Sequence, residues 1–379
     1  IKLCFSYPSQ IKSWIGLFPF FMMHHIFYGT QSLQHVSVDR VNFALILMLA
    51  IIGIILSISL SDSYLFLNKH LIFSIIGIFI MISVSYFEIK FLRRFSLLSI
   101  ILFILILFII LFLDYEVNGS KRWLKIYGFS LQPSEFIKPF FFLLSAWFIS
   151  QGISGRNSYF VVLIISFVTI CGLIILQPDF GTAFLIAITF FCQLFIAGLS
   201  MVLVIFALVS LLFLSAFSYY YFDHIQKRVD AFINPTANTD QIDLSLQAFK
   251  SGGLFGKGPG QGILKEKIPS ANTDFIFAVA GEELGFIFCS LIVLLILVII
   301  IRFLLKLLKM SNPFEIIAVV GLTCSFGLQS LFNICSSLAL IPTKGMTLPF
   351  VSYGGSSMIS SAVLFGCLLS LTRQRNEEK

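Results

Sequence analysis

FIFAVAGEELGFIFCSLIVLLILVIII, residues 275–301, is 27 residues long and carries charge only at Glu282 and Glu283. An α-helix rises 1.5 Å per residue, so about 20 apolar residues cross the ~30 Å hydrocarbon core of a bilayer. This stretch reads as a membrane-crossing helix. The same ruler applied outward predicts nine more, at 42–60, 70–87, 95–113, 135–150, 159–176, 181–197, 200–221, 315–340 and 355–372. The expected fold is an all-α polytopic membrane protein of about ten transmembrane helices. A large extracytoplasmic loop, 222–274, separates helices seven and eight.

Composition points the same way. Of the 379 residues 58% are hydrophobic and 11% charged, with a mean hydropathy of +0.99. A soluble domain is roughly 45–50% apolar and about 25% charged. Ordinary soluble domains, disordered chains and secreted disulfide scaffolds are thereby excluded. The seven cysteines are isolated and form no CxxC pair, so they read as small core residues rather than zinc ligands or disulfide partners. The net charge of +7 is spread along the chain rather than set among polar aromatics, so no nucleic-acid partner is expected.

Ten-span threading puts Arg40, Lys90, Arg93, Arg94, Arg156, Arg302, Lys306, Lys309, Arg373, Arg375 and Lys379 on one side. The short loops opposite hold only Lys69, Lys121, Arg122, Lys125 and Lys344. Short loops rich in Lys and Arg face the cytoplasm. Both termini are therefore expected inside, with the 114–134, 222–274 and 341–354 loops outside. Residues 39–379 form the membrane domain in this reading. Residues 1–38, broken by Pro19 and carrying His24 and His25, read as an extension of doubtful relevance; an interfacial helix is the other reading.

An ionisable group inside a span is costly and marks a functional position by default. Glu135 and Lys138 stand three apart at the start of span four and share a helix face. They form either a neutralised pair behind a Ser134 N-cap or part of a site. Asp179, in the turn Gln177-Pro-Asp-Phe-Gly181, either caps span six or meets a headgroup or cation at the membrane face. Asp274 is either the N-cap of span eight or a carboxylate beside a cavity roofed by the preceding loop. At 100° per residue Glu282 lies about 80° around that helix from Asp274, and Glu283 opposite, so Glu282 is the expected cavity neighbour.

The glycine run Ser251-Gly-Gly-Leu-Phe-Gly-Lys-Gly-Pro-Gly-Gln-Gly262 is not a Walker A loop. Ser251 and Gly258 occupy the positions where the motif needs Gly and Ser or Thr. Glycines here let an extramembrane loop fold tightly over the mouth of the bundle.

Five motifs appear in order: Gly119-Ser-Lys-Arg-Trp-Leu124; Gln132-Pro-Ser-Glu135 with Lys138; Gln177-Pro-Asp-Phe-Gly-Thr182; Thr273-Asp-Phe-Ile-Phe277 with Glu282-Glu-Leu-Gly285; and Leu348-Pro-Phe-Val-Ser-Tyr-Gly-Gly-Ser-Ser357. Over about residues 40–375 the chain resembles the SEDS family (shape, elongation, division and sporulation proteins). Within it, Pro342-Thr-Lys-Gly-Met-Thr-Leu-Pro349 and Gly281-Glu-Glu-Leu-Gly285 look more like the division branch than the elongation branch. The resemblance implies a peptidoglycan glycosyltransferase that polymerises lipid II at the outer face of the bacterial inner membrane. It also implies a class B penicillin-binding protein as transpeptidase partner, with other division proteins around it. The family's catalytic acid falls on Asp274, its intramembrane pair on Glu135 and Lys138, and its second buried acid on Asp179. The chain departs from the family at Asn272, where a His is usual, and at Pro139, which is expected to bend span four.

Glycoside hydrolases use two carboxyl groups because an alkoxide leaving group must be protonated. A lipid pyrophosphate leaves as a stabilised anion, so one general base suffices, and Asp274 is placed for it. Lys121, Arg122, Arg228 and Lys138, or a divalent cation such as Mg or Mn, would neutralise the departing phosphates. Gln132, Glu135, Asp179 and Glu282 complete the expected substrate-binding set; no nucleotide is expected. Two rival classes remain at this point: a lipid II flippase, and a non-catalytic scaffold for a penicillin-binding protein.

Overall fold

The computed structural model describes residues 39–60, 64–113, 122–126, 129–198, 240–342 and 345–373, with isolated positions between 202 and 230. Among the described residues, seven helices are long and apolar enough to cross a membrane and two shorter apolar helices accompany them. The long ones are α1 (Arg40–Leu60), α2 (Tyr64–Ser85), α3 (Ile89–Ile110), α4 (Pro133–Ile153), α5 (Ser158–Leu176), α8 (Ile276–Leu307) and α9 (Pro313–Ser337). The shorter pair are α6 (Phe180–Ile196) and α10 (Gly355–Leu371). The protein is a polytopic helical membrane protein. The expected crossing at 200–221 falls almost wholly outside the described residues, as do segment 1–38, Lys121 and Arg228.

Two elements appear where only loop was expected. A short antiparallel hairpin, β1 (Leu124–Ile126) and β2 (Phe129–Leu131), pairs Leu124 with Leu131 and leads into α4. Helix α7 (Asp240–Gly252) lies within the long loop and packs on α8. Helix α2 also starts earlier than its apolar run. Asn68 and Lys69, read as loop before the span at 70–87, are already helical, and His70 turns inward, 1% exposed, with Nδ1 2.7 Å from Ser57 Oγ of α1.

Helices α4 and α9 are mostly buried, whereas α1, α3, α5 and α8 display apolar side chains outward, as lipid-facing helices do. Polar side chains stitch the centre. Gln193 of α6 donates to the carbonyls of Phe142 at 2.9 Å and Ile317 at 3.1 Å, and its amide oxygen accepts from Ser145. Pro139 stands inside α4 without interrupting it. A proline cannot donate to the carbonyl four residues back. Here that carbonyl, of Glu135, accepts from Ser360 Oγ of α10 at 2.6 Å. The donor lost to the ring is supplied by a neighbouring helix.

Helix α8 is broken at Gly285, which takes φ 79° and ψ −179°. Within a bilayer the backbone groups freed by such a break need internal partners. The glycine run supplies them. The N–H groups of Phe286 and Ile287 donate to the carbonyls of Gly253 (2.9 Å) and Leu254 (3.2 Å). In return, Lys257 and Gly258 donate to the carbonyls of Glu282 (3.0 Å) and Glu283 (2.9 Å). The approach is close enough to demand glycine: a Cβ on Gly256, at φ 79°, would sit 2.1 Å from the Glu283 carbonyl oxygen.

The far end of the bundle holds the basic cluster. Asp39 meets Lys306 at 2.7 Å and Arg302 at 3.3 Å, and Arg302 Nε also donates to Asn42 at 2.7 Å. Arg93 lies over the Phe314 ring, 5.0 Å from its centroid. Burial alone would raise the Asp39 carboxyl; the Lys306 and Arg302 cations and the Asn42 N–H outweigh it and hold the group below the usual carboxylate range.

Two outcomes follow. Gly256→Ala should cost at least about 2 kcal/mol and lower the melting temperature of the detergent-purified protein. Asp39, with its folded-state pKa depressed, stabilises the fold above its ordinary value of 3.8, and that contribution is lost as pH falls below it. Melting curves over that range should therefore fall more steeply for the wild type than for Asp39→Asn.

Candidate active site

The starts of α4, α6, α8 and α10 and the end of α9 come together at the other end of the bundle, and there the sequence motifs converge. Ser270, at φ 58°, turns the chain so that three successive N–H groups point at its carbonyl. Thr273, Asp274 and Phe275 donate to it at 3.0, 3.1 and 3.4 Å. The last motif then clamps this turn from outside. Tyr353 N donates to the Asn272 carbonyl (2.9 Å), Ser352 Oγ to that of Thr273 (2.6 Å), and Asn333 Nδ2 of α9 to that of Asp274 (2.9 Å). Asp274 is half-buried, and a Cβ on Gly345 would lie 3.6 Å from its Oδ2. Asp274 is not the N-cap of α8; that position is Phe275, because the turn carries the aspartate before the helix begins.

An open cleft of about 430 Å³ adjoins the turn, with Ser59, Lys265, Glu266, Asn272, Thr273 and Tyr353 among its walls. Burial raises the Tyr353 phenol above its ordinary value. Glu283, 1% exposed, stands behind this wall: its carboxylate pairs with Lys265 Nζ at 2.8 Å and accepts from Ser59 Oγ.

Glu282 does not border the cleft, contrary to the angular argument. It is fully buried and caged by the glycine loop: Oε1 accepts from Ile263 N (3.0 Å), Leu264 N (3.1 Å) and Lys257 Nζ (3.0 Å), and Oε2 from Lys265 N (3.1 Å). The angle was counted from Asp274 as though the helix began there. It begins later, at Ile276. Glu283 and Lys265 are the pair beside the cleft.

Glu135 and Lys138 pair at 2.8 Å, and the ammonium also donates to Gln329 Oε1 of α9 at 2.6 Å. Ser134 is not the N-cap of α4. Gln132 holds that position, and Ser134 Oγ donates instead to Asp179 Oδ2 at 3.1 Å. Asp179 is 4% exposed, accepts from Gln132 Nε2 at 3.2 Å and Thr182 N at 3.4 Å, and lies 3.6 Å from Arg122 Nη1. It caps α6 while gathering the hairpin and α4 around it. Gln132 is anchored in turn, its N–H donating to Ser356 Oγ of α10 at 3.0 Å. The geometry thus brings Arg122, Gln132 and Asp179 together, and Glu135, Lys138 and Gln329 together. Glu283, read from the sequence as turned away from the cavity and tied to another helix, meets Ser59 of α1; Lys265, Ser59, Gln329 and Asn333 are functional neighbours that the sequence did not mark. Only the spacing of Gln329 and Asn333, two amides one turn apart within a predicted span, could have pointed to that pair.

Residues 34–377 match the family described as cell cycle protein, which groups FtsW, RodA and SpoVE. The chain belongs to this family. It is 36% identical over 322 residues to the probable peptidoglycan glycosyltransferase FtsW of Caulobacter vibrioides, covering 84% of this chain and 82% of that protein. It is 33% identical over 350 residues to the protein of the same description from Trichlorobacter lovleyi, covering 87% and 90%. Among solved structures, one on the coordination of polymerization and crosslinking by a peptidoglycan synthase complex matches with a TM-score of 0.76 at 22% identity, covering 91% of this chain and all of that one. The rod shape determining protein RodA of Thermus thermophilus matches with a TM-score of 0.70 at 22% identity, covering 90% and 99%. The fold is that of these proteins, and the relatives' FtsW names accord with the division branch.

Removing the Glu282 carboxylate strands several buried donors and one ammonium, a loss expected to cost about 3–5 kcal/mol. Glu282→Ala should therefore melt earlier and expose the glycine loop to trypsin at Lys257. A protease pattern identical to that of the wild type would show that the carboxylate does not hold the loop.

Proposed function

We propose that this chain polymerises lipid II into glycan strands during cell division, with Asp274 as the general base. The observation that carries the reading is the placement of Asp274: a half-buried acid on a turn fixed from three sides, whose neighbours Asn272 and Thr273 line an open cleft. The FtsW names of its relatives support the reaction class. The Asp274 carboxylate takes the proton of the acceptor's 4-hydroxyl as its oxygen attacks C1 of the donor MurNAc, inverting α to β. Undecaprenyl pyrophosphate departs as a stabilised anion, so no second carboxyl group is required to protonate it.

Glu135, Asp179 and Glu282 are each taken up by protein partners at this end of the bundle, which supports a framework role for them over direct chemistry. The same observation weighs against a carrier, where polar groups gather near mid-bilayer. In this reading Arg122, near Asp179, and Lys138, bound to Glu135 and Gln329, neutralise the departing phosphates together with Lys121 and Arg228. Among the described residues no three His, Cys, Asp or Glu side chains converge on a point. Mg²⁺ is ordinarily held by one or two carboxylates together with substrate phosphates, and Glu266 on the cleft wall fits that donor set. A divalent cation so held would neutralise charge on the pyrophosphate. In this reading both termini are cytoplasmic, the cleft is periplasmic and the protein works at the septum. A class B penicillin-binding protein cross-links the strands, alongside other division proteins.

Purified protein reconstituted with lipid II should yield glycan strands on a gel. Asp274→Asn should lower the rate at least about 10²-fold while inserting and melting like the wild type. Full polymerisation by that variant would refute the role of the aspartate. An inactive wild type, alone and with a partner transpeptidase, would refute the activity.

A further inference from the structure

Helix α9 presents two amides one turn apart on one face, Gln329 and Asn333. Both are buried, at 5% and 1% exposure. Gln329 Nε2 donates to the Thr347 carbonyl at 3.1 Å and to its hydroxyl at 3.4 Å, while Oε1 accepts from Lys138. Asn333 Nδ2 donates to the Met346 carbonyl at 2.6 Å and to the Asp274 carbonyl at 2.9 Å. Adjacent carbonyls of the last loop are thereby pinned by two planar donors, one of which also holds the aspartate's own main chain. Gly345, next to Met346, lies close enough to Asp274 that an added Cβ would sit 3.6 Å from its Oδ2.

We propose that Gln329 and Asn333 form an amide relay that positions the Asp274 carboxylate and connects it to the Glu135–Lys138 pair. They are positioning residues, since they act through Asp274 and the 345–347 segment. The proposal rests on the polymerase reading and goes beyond it by giving the intramembrane ion pair a route to the reacting group. Lys138 fixes the orientation of the Gln329 amide, because only the oxygen can accept from an ammonium, and this turns the NH₂ toward Thr347. Asn333 is oriented by its two carbonyl partners in the same way; the flipped amide would set its oxygen against theirs.

A second observation separates this arrangement from packing for stability. Asn333 Oδ1 is buried with no hydrogen-bond partner among the described residues. An orphaned acceptor destabilises a fold, and native structures keep one where another demand outweighs it. The demand here is a donor able to reach two carbonyls at once, one belonging to Asp274.

Steady-state kinetics of reconstituted protein with lipid II provide the test. Asn333→Leu, close in volume, should lower kcat by about 100-fold with KM within about threefold, the signature of a misplaced reacting group rather than lost substrate binding. Gln329→Met should lower kcat by about tenfold, again at unchanged KM, and it carries the test should Asn333→Leu fail to fold. Lys138→Met combined with Gln329→Met should be no worse than the more damaging single change, because the two act along one route. Variants with wild-type kcat and a lowered melting temperature would overturn the relay, as would a raised KM at unchanged kcat or additive losses in the double variant. A wild type that makes no strands would instead overturn the polymerase reading, and the relay with it.

Discussion

Backbone polar groups inside a bilayer have no water to turn to, and α8 breaks at Gly285 where such groups would be stranded. The exchange of hydrogen bonds between residues 253–258 and residues 282–287 resolves this, and much of the site depends on it. Once the glycine run is held in the break, Glu282 can cage the backbone of Ile263, Leu264 and Lys265. The Leu264–Glu266 turn is then fixed, and Lys265 comes down onto Glu283. The chain leaves that turn into Ile268–Phe275 with its position already set. An extramembrane loop thus gains rigidity from a defect in a membrane helix.

The same rule operates in α4. Pro139 removes the donor for the Glu135 carbonyl, and Ser360 of α10 replaces it. The replacement ties α10 to the turn of α4 that holds Glu135 and Lys138. A proline that would kink an isolated helix instead becomes an inter-helix contact, because a hydroxyl lies within reach. A hydrophobic residue at 360 would leave that carbonyl unsatisfied in an apolar interior, where the loss is felt in full.

Apolar run lengths carried the membrane fold, and α1, α5, α6 and α10 begin and end within a few residues of their expected bounds. Reading by hydropathy fell short at the start of α2, because Asn68 and Lys69 are polar by type yet belong to the helix. Aspartate 274 was legible because it stands at the junction of a loop and a long apolar run. Its surroundings were less so. The facing of Glu282 and Glu283 depended on where α8 starts, and no pattern of residue types marks a start at Ile276 behind an uncapped Phe275. Gln329 and Asn333 belong to a helix whose remaining buried face is apolar or small, and their partners lie in other segments, over a hundred residues away in the case of Lys138. Such long-range pairing leaves no trace in local spacing.

The division of labour among the acids follows from how each is surrounded. Glu282 and Glu283 are 0% and 1% exposed and Asp179 is 4% exposed, each with cationic or N–H partners in hydrogen-bond or ion-pair geometry. A carboxylate so enclosed lies out of reach of a sugar hydroxyl, and a general base must come within hydrogen-bond distance of the proton it takes. In the proposed reading these groups contribute fixed charge and connectivity instead. At Asp274 the contacts that fix the turn fall on the main chain. The Ser270 carbonyl, Asn333 and the neighbouring Ser352 and Tyr353 hold backbone atoms of the 272–275 turn, not the carboxylate. Holding a residue by its backbone limits where its side chain can point, which is the condition that the proposed general-base role places on Asp274.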